Sequence, residues 1–151
     1  MLYETAAIGR YVDEAFDGPS LQPSEALSRA RMTQVIGIAD CYAYKWMDMQ
    51  IVIPRLVVPM MGGTTDEAAV EAALPEARKT ADALETLIGD QSFMAGESLS
   101  LADLHLVPIM VYFAMAPEGA QILESAPKLA GWLERMKARP TVAQYCPAEI
   151  A

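Results

Sequence analysis

GESLSLADLHLVPIMVYF, residues 96–113, decides the fold, because it combines a helix start signal with an apolar run long enough for a core helix. Ser100 and Asp103 stand at the N-cap and N3 positions of a capping box, with Asp as a shorter version of the usual Glu or Gln. Such a box satisfies backbone donors locally, so the helix that follows it can be buried. We therefore predict a central, buried helix whose Ser100 and Asp103 are structural cap residues.

The helical period continues along the whole chain, and no segment of useful length alternates in the way that a strand does. The most regular apolar stripe runs from Val70 to Ile88. Thr64 and Glu67 have capping-box spacing ahead of it, and Gly89 follows it as a helix-ending residue. These patterns predict an all-α bundle of about five to six helices.

Three further helices follow from the same pattern. The first runs from about Glu4 to Phe16, and a proline-containing linker at 17–25 separates it from the rest of the chain. The second starts at Ser24 as its N-cap and continues toward Pro54. A short amphipathic helix, PKLAGWLERMK, covers residues 127–137.

The composition narrows the class of protein. The 151 residues are 53% hydrophobic and 21% charged, which suits one globular domain. A net charge of −9 argues against nucleic acid as a partner, because binding its phosphates requires clustered Lys and Arg. Cys41 and Cys146 are too few for a disulfide framework and favour a reducing compartment. Because the acidic, amphipathic N-terminus has no signal-peptide pattern, we expect a cytoplasmic protein.

Residues 41–61, CYAYKWMDMQIVIPRLVVPMM, are the one stretch apolar enough to suggest a membrane span. Lys45, Asp48 and Arg55 interrupt it, and Pro54 would break a spanning helix, so we expect no membrane insertion. The stretch is still too apolar for an ordinary surface helix. Either this chain or a partner is therefore expected to bury it on several sides.

Three segments, in order, resemble parts of the glutathione S-transferase family. ETAAIGRYVDEAF at 4–16 is similar to the last helix of the family's thioredoxin-like N-terminal domain. SLSLADL at 98–104 resembles the capped start of the central helix of its all-α C-terminal domain, and PKLAGWLERMKARP at 127–140 resembles the penultimate helix. The resemblance implies a helical bundle of the C-terminal-domain type at 19–151. One helix left from the thioredoxin-like domain precedes it at 1–18.

The resemblance also implies a function. A complete member activates the thiol of glutathione and conjugates it to a hydrophobic electrophile, as a detoxifying homodimer. The family's catalytic Tyr, Ser or Cys lies in a β-α-β-α-β-β segment ahead of the first helix, and the 151 residues contain no such segment. We therefore expect a truncated chain with no catalytic residue and negligible conjugating activity. A non-catalytic helical binding or oligomerisation module is the alternative.

Glu4 and Thr5 match the family pair that holds the γ-glutamyl end of glutathione. A carboxylate can pair with the ammonium of the tripeptide, and a hydroxyl at a helix N-terminus can bind its carboxylate. From the residues alone, a plain helix start is the commoner explanation, with Thr5 as the cap and Glu4 in solvent.

Tyr42, Trp46 and Met49 recur at spacings of four and three along the second helix. The corresponding helix of the family lines the pocket for the hydrophobic co-substrate, so these residues resemble that pocket. Core packing is the ordinary alternative for an aromatic stripe. His105, the only histidine, is expected to be a hydrogen-bonded structural residue, and no metal site is predicted. Asp40 is expected to be solvated or capping, with contact to a partner's glutathione in a dimer as the alternative.

Overall fold

The computed structural model describes residues 1–146 of the chain as a set of helices. In chain order these are α1 (Thr5–Ala15), α2 (Ala26–Ile38), a π-helical stretch named here the π segment (Ala39–Val57), α3 (Val58–Met60), α4 (Glu67–Ile88), α5 (Leu101–Met115), α6 (Pro117–Glu124), α7 (Pro127–Lys137) and α8 (Pro140–Tyr145). Within the described residues, extended pairing is limited to one isolated bridge between Phe93 and Gly96. The predicted all-α class is confirmed, with more helices than expected.

Helix α5 lies at the centre of the bundle. It packs against α1, α2, the π segment, α6 and α7. Its buried residues extend from Leu101 to Phe113 and are not confined to one side. The prediction of a central, buried helix after the capped segment is therefore confirmed.

The second helix is longer than the sequence predicted, because it passes through Pro54 without ending. Helix α2, the π segment and α3 follow one another directly from Ala26 to Met60. In a π-helix each N–H bonds to the carbonyl five residues earlier, as the Val58 N–H does with Ile53. In an α-helix the proline ring would clash with the carbonyl four residues before it, and the wider π turn moves that carbonyl away.

The predicted helix starts at Ser24 and at Thr64 are both wrong by one or two residues. Glu25 is the N-cap of α2, and its carboxylate accepts a backbone N–H at 2.7 Å. Asp66 is the N-cap of α4 and accepts a backbone N–H at 3.1 Å. Glu67 is the first residue of α4 and not its N3 residue, so it does not form a capping box with Thr64. Its two carboxylate oxygens bind Arg55, each at 2.7 Å.

Four of the five buried residues of the π segment form one line at a spacing of four: Ala39, Ala43, Met47 and Ile51, with Val52 as the fifth. A spacing of four suits a helix with a wider turn than the α-helix, whose period is about 3.6 residues. This line faces the neighbouring helices α4 and α5. The sequence-derived stripe, spaced for an α-helix, lies on other sides of the segment.

Helix α1 lies on the surface of the bundle, and none of its residues is buried. Asp13 of α1 binds the linker, because its Oδ1 accepts the Leu21 N–H at 2.7 Å. The Leu21 carbonyl in turn accepts the N–H of Leu101, the first residue of α5, at 3.0 Å. The start of the central helix and the end of α1 are thus joined through one linker residue.

The apolar stretch at 41–61 is covered on one side only. Met47 and Ile51 are buried, whereas Tyr42, Tyr44 and Met49 are exposed. Among residues 1–146, no single helix is long and apolar enough to cross a membrane. Helices α5 and α6 reach that length and composition only together, and a bend of 109° separates them.

Candidate functional site

The start of α1 has an unusual backbone conformation. Glu4, with φ 74° and ψ 121°, is the one non-glycine residue with positive φ in the described part of the chain. Glu4 is the N-cap of α1, and Thr5 is its first helical residue. The N-cap is therefore Glu4 and not Thr5, while Glu4 is exposed, as the plain explanation expected.

The conformation of Glu4 is not compensated by a cap. A non-glycine residue in such a region costs about 1–3 kcal/mol. Within residues 1–146 the Glu4 side chain makes no capping hydrogen bond, and both Glu4 and Thr5 are exposed. The Glu4 carbonyl accepts the Ile8 N–H at 3.0 Å, while the first N–H groups of any helix lack partners inside that helix. A carboxylate and free backbone donors therefore face solvent side by side.

The residues predicted to contact a hydrophobic substrate lie on the outer side of the π segment. Tyr42 and Met49 are 54% and 41% exposed, and Trp46 is half-buried against the core. Tyr42 lines a cleft of about 230 Å³ together with Ile38 and residues of α4, and Trp46 and Met49 do not line that cleft. The structure thus places the three residues on the π segment without enclosing them in one cavity.

Lys45 contacts the aromatic part of this surface. Its Nζ lies over the Trp46 ring, 4.2 Å from the ring centroid. Sequence reasoning did not find this contact, because adjacent residues of an α-helix do not face each other. The contact brings a positive charge next to the predicted pocket residues.

Asp40 and His105 form a pair between the π segment and α5. The His105 Nε2 lies 2.6 Å from the Asp40 Oδ1. The His105 side chain is 8% exposed and that of Asp40 53%. His105 is hydrogen-bonded, as predicted, and Asp40 is neither a cap nor a lone solvated carboxylate. No group of three or more His, Cys, Asp or Glu in the described chain could hold a metal ion.

Asp103 is the partner of more groups than its capping role required. Its Oδ2 accepts the Ser100 N–H at 2.9 Å, and the Ser100 side chain accepts the Asp103 N–H, which completes the capping box. The same Oδ2 also accepts the Ser100 hydroxyl at 2.7 Å. Its Oδ1 accepts the Met94 N–H and the Trp132 Nε1–H, each at 2.8 Å. Asp103 and Ser100 are fully buried, so this carboxylate joins the preceding loop, α5 and α7 inside the core.

The Asp48 carboxylate, unlike that of Asp103, lacks a full set of hydrogen-bond partners. It is half-buried in the π segment, and its Oδ1 has no hydrogen-bond partner among residues 1–146. Burial raises the pKa of Asp48 to about 7. The sequence showed Asp48 only as an interruption of an apolar stretch, and its spacing carries no signal for this environment.

The two cysteines differ in their exposure. Cys41 is exposed, whereas Cys146 is half-buried. Burial raises the pKa of the Cys146 thiol, which lowers the fraction of the reactive thiolate. Neither cysteine gains a chemical role from its position.

The chain is similar in sequence and structure to known proteins. A family model for the glutathione S-transferase C-terminal domain matches residues 47–140. Glutathione S-transferase F14 of Arabidopsis thaliana is 31% identical over 143 residues, which make up 92% of this chain and 56% of that protein. The chain thus spans little more than half the length of this relative.

Two solved structures have the same arrangement of helices. A glutathione S-transferase I bound with lactoylglutathione superposes with a TM-score of 0.85 at 26% identity, over 98% of this chain and 70% of that chain. A glutathione S-transferase I from mais in complex with an atrazine glutathione conjugate gives a TM-score of 0.81 at 26% identity, over 95% and 66%.

Proposed function

Because this chain belongs to the glutathione S-transferase family and has the all-α fold of its C-terminal domain, we propose that it takes part in conjugating glutathione to a hydrophobic electrophile in the cytoplasm, in a detoxifying role. Glu4 and Thr5 at the start of α1 bind glutathione as co-substrate. Tyr42, Trp46 and Met49 on the π segment contact the electrophile. Activation of the thiol is not assigned to any residue of this chain.

The strained backbone at Glu4 is the observation that carries the proposal. Strain of this kind persists where the surroundings over-determine it, and it is concentrated at ligand sites. The carboxylate of Glu4 is exposed and free of a capping bond in the described structure, so it is available to an ammonium group. The start of α1 suits a carboxylate, because free N–H groups and the helix dipole both favour negative charge. The γ-glutamyl end of glutathione has both groups on one carbon atom.

The chemical step is attack by the glutathione thiolate on an electrophilic carbon. Residues that hold the two reactants in place accelerate such a step by proximity and orientation. This is the contribution proposed for α1 and the π segment. The neighbour with a bound atrazine glutathione conjugate supports an aromatic electrophile as the co-substrate class.

Glutathione titration by isothermal calorimetry tests the proposal. Glu4→Gln should weaken binding about tenfold or more, because a hydrogen bond to a charged group contributes about 1.5–3 kcal/mol. Thr5→Val should weaken binding by a smaller factor. Glu71→Gln, an exposed change on α4, is the matched control and should bind as the unchanged chain does. Equal binding by Glu4→Gln and the control, or no saturable binding by the unchanged chain, would contradict the proposal.

The exposed apolar surface of α1 supports the second candidate, a non-catalytic binding or oligomerisation module. Ile8, Tyr11, Val12 and Phe16 are 43%, 56%, 50% and 64% exposed. Apolar side chains grouped on one helix often mark an interaction surface. A homodimer is proposed as the simplest assembly. Light scattering at micromolar concentration should show at least a dimer, and a dimer that does not bind glutathione would favour the module.

A further inference from the structure

We propose that a cleft between α1, the linker and α2 binds small organic dicarboxylates, with Arg10 and Arg29 each holding one carboxylate. This cleft is named here the arginine cleft. One residue of α1, one of the linker and several of α2 line it together, among them Arg10, Gln22, Ala26, Arg29, Ala30 and Thr33. None of these residues belongs to the site proposed for glutathione and its electrophile, so binding here does not depend on the proposed function.

The two arginines reach the arginine cleft from different helices, and Arg29 is held in place by its own hydrogen bonds. Its Nη1 donates to the carbonyls of Pro23 and Ser24 at 3.1 and 2.9 Å. These bonds fix the guanidinium beside the linker and use only one of its three nitrogen atoms. Because a guanidinium has five N–H donors in a planar fork, Arg29 keeps donors for a ligand.

Neither arginine is neutralised by an ion pair in the described part of the chain. The ion pairs of residues 1–146 include neither Arg10 nor Arg29. Glu14, four residues after Arg10, instead accepts a hydrogen bond from the Gln22 amide at 3.0 Å. The pKa of Glu25 is lowered chiefly by hydrogen bonds from backbone N–H groups at the start of α2, and Arg29 is the smallest cause of that shift. Both positive charges are therefore available to a ligand.

The size of the arginine cleft and the chemistry of its donors favour an organic dianion. The cleft has a volume of about 300 Å³, and one water molecule occupies about 30 Å³ of liquid. It therefore has room for a ligand of several carbon atoms. An arginine binds a carboxylate through two parallel hydrogen bonds. Two arginines on separate helices thus match two carboxylates joined by a short carbon chain, whose methylene groups can lie against Ala26 and Ala30.

Binding of succinate and of succinamate, measured by equilibrium dialysis at low ionic strength, tests the inference. The two ligands have the same carbon chain, and an amide replaces one carboxylate in the second. The unchanged chain should bind succinate about fivefold more tightly, and Arg10→Gln or Arg29→Gln should remove that preference. Arg10→Lys should keep part of it, because the charge remains and the planar fork is lost. Arg78→Gln, which removes an exposed arginine of α4 outside the cleft, is the control and should retain the preference.

A succinate preference that survives both glutamine variants would overturn the inference, and so would equal binding or no binding of the two ligands by the unchanged chain. Circular dichroism should show unchanged helix content. Arg10 is exposed, so Arg10→Gln should fold even if the loss of the linker bonds destabilises Arg29→Gln. Light scattering on the same solutions covers the competing occupant. A dimer that binds neither ligand and dissociates in Arg10→Gln would assign the arginine cleft to a second copy and overturn the inference.

Discussion

Helices α5 and α1 both have an acidic residue in their start, Asp103 as the N3 residue of α5 and Glu4 as the N-cap of α1, and the two starts are built in opposite ways. At α5, Asp103 is fully buried and accepts hydrogen bonds from Met94, Ser100 and Trp132. At α1, Glu4 is exposed, has φ 74° and makes no capping bond in the described chain. The Asp103 carboxylate therefore has its hydrogen-bond partners inside the protein, whereas the Glu4 carboxylate remains available to a ligand.

This difference separates a folding element from a candidate binding element. A carboxylate whose partners are all internal contributes to stability and cannot also bind a ligand. A strained, uncapped start lowers stability and leaves charge and backbone donors for a ligand. Variants at the two starts should therefore change different properties, stability at α5 and binding at α1.

The largest expected effect is at the buried start. Asp103→Ala should lower the free energy of unfolding by about 3–5 kcal/mol, because it leaves three buried N–H donors without an acceptor. Urea unfolding followed by circular dichroism measures this change. Asp82→Ala, an exposed change on α4, should stay within about 0.5 kcal/mol of the unchanged chain. A loss below about 1 kcal/mol for Asp103→Ala would mean that its four hydrogen bonds contribute little.

Asp48 adds a third carboxylate, which is inside the fold but lacks a complete set of partners. Its folded-state pKa of about 7 lies above the ordinary value of 3.8, so the folded chain keeps this proton where the unfolded chain has lost it. The stability from this group is fully present below the unfolded pKa and is lost as the pH rises from about 4 to about 7. After allowance for partial solvent screening, the loss should be about 1–2 kcal/mol.

The variant Asp48→Asn should remove that pH dependence and should be more stable than the unchanged chain at about pH 8. Urea unfolding at several pH values between about 4 and about 8 measures the slope. Asp82→Asn is the control and should leave the slope as it is. An unchanged slope in Asp48→Asn would assign the pH dependence to other groups.

The smallest expected effect is at the exposed start. Glu4→Gly should raise the free energy of unfolding by about 1 kcal/mol, because glycine adopts positive φ without strain. Glu4→Ala keeps the Cβ atom and should bring no such gain. Both variants should lose glutathione affinity with the carboxylate. A destabilising Glu4→Gly would mean that the side chain contributes to folding and that the two starts are less different than proposed.

The capped start of α5 was predictable because its signal is local. Ser100 and Asp103 are three residues apart, and a capping box depends on nothing further away. The additional bond from Trp132 to Asp103 spans 29 residues, and the bond from Arg55 to Glu118 spans 63. Neither follows from helical periodicity. The predicted capping box at Thr64 and Glu67 is wrong because Asp66 is the N-cap of α4, which makes Glu67 the first helical residue.

The residues of the candidate site were proposed from the sequence, and their geometry was not. Glu4 and Thr5 followed from the family resemblance, and so did the π-segment residues Tyr42, Trp46 and Met49. The backbone strain at Glu4 and the ammonium over Trp46 did not, because both depend on how the chain packs around them. The choice between Glu4 and Thr5 as the N-cap was likewise decided by backbone geometry.

The sequence by itself determined the helical class, the capped central helix and the family, since periodicity, caps and motif order are properties of neighbouring residues. The tertiary structure decided which carboxylates are satisfied. Asp103, Glu67 and Asp40 found partners from other helices, whereas Glu4 and the Asp48 Oδ1 found none among residues 1–146. The physical reason is that a carboxylate gains hydrogen bonds only from groups within about 3–4 Å of it. Which groups lie that close depends on how helices distant in sequence pack together.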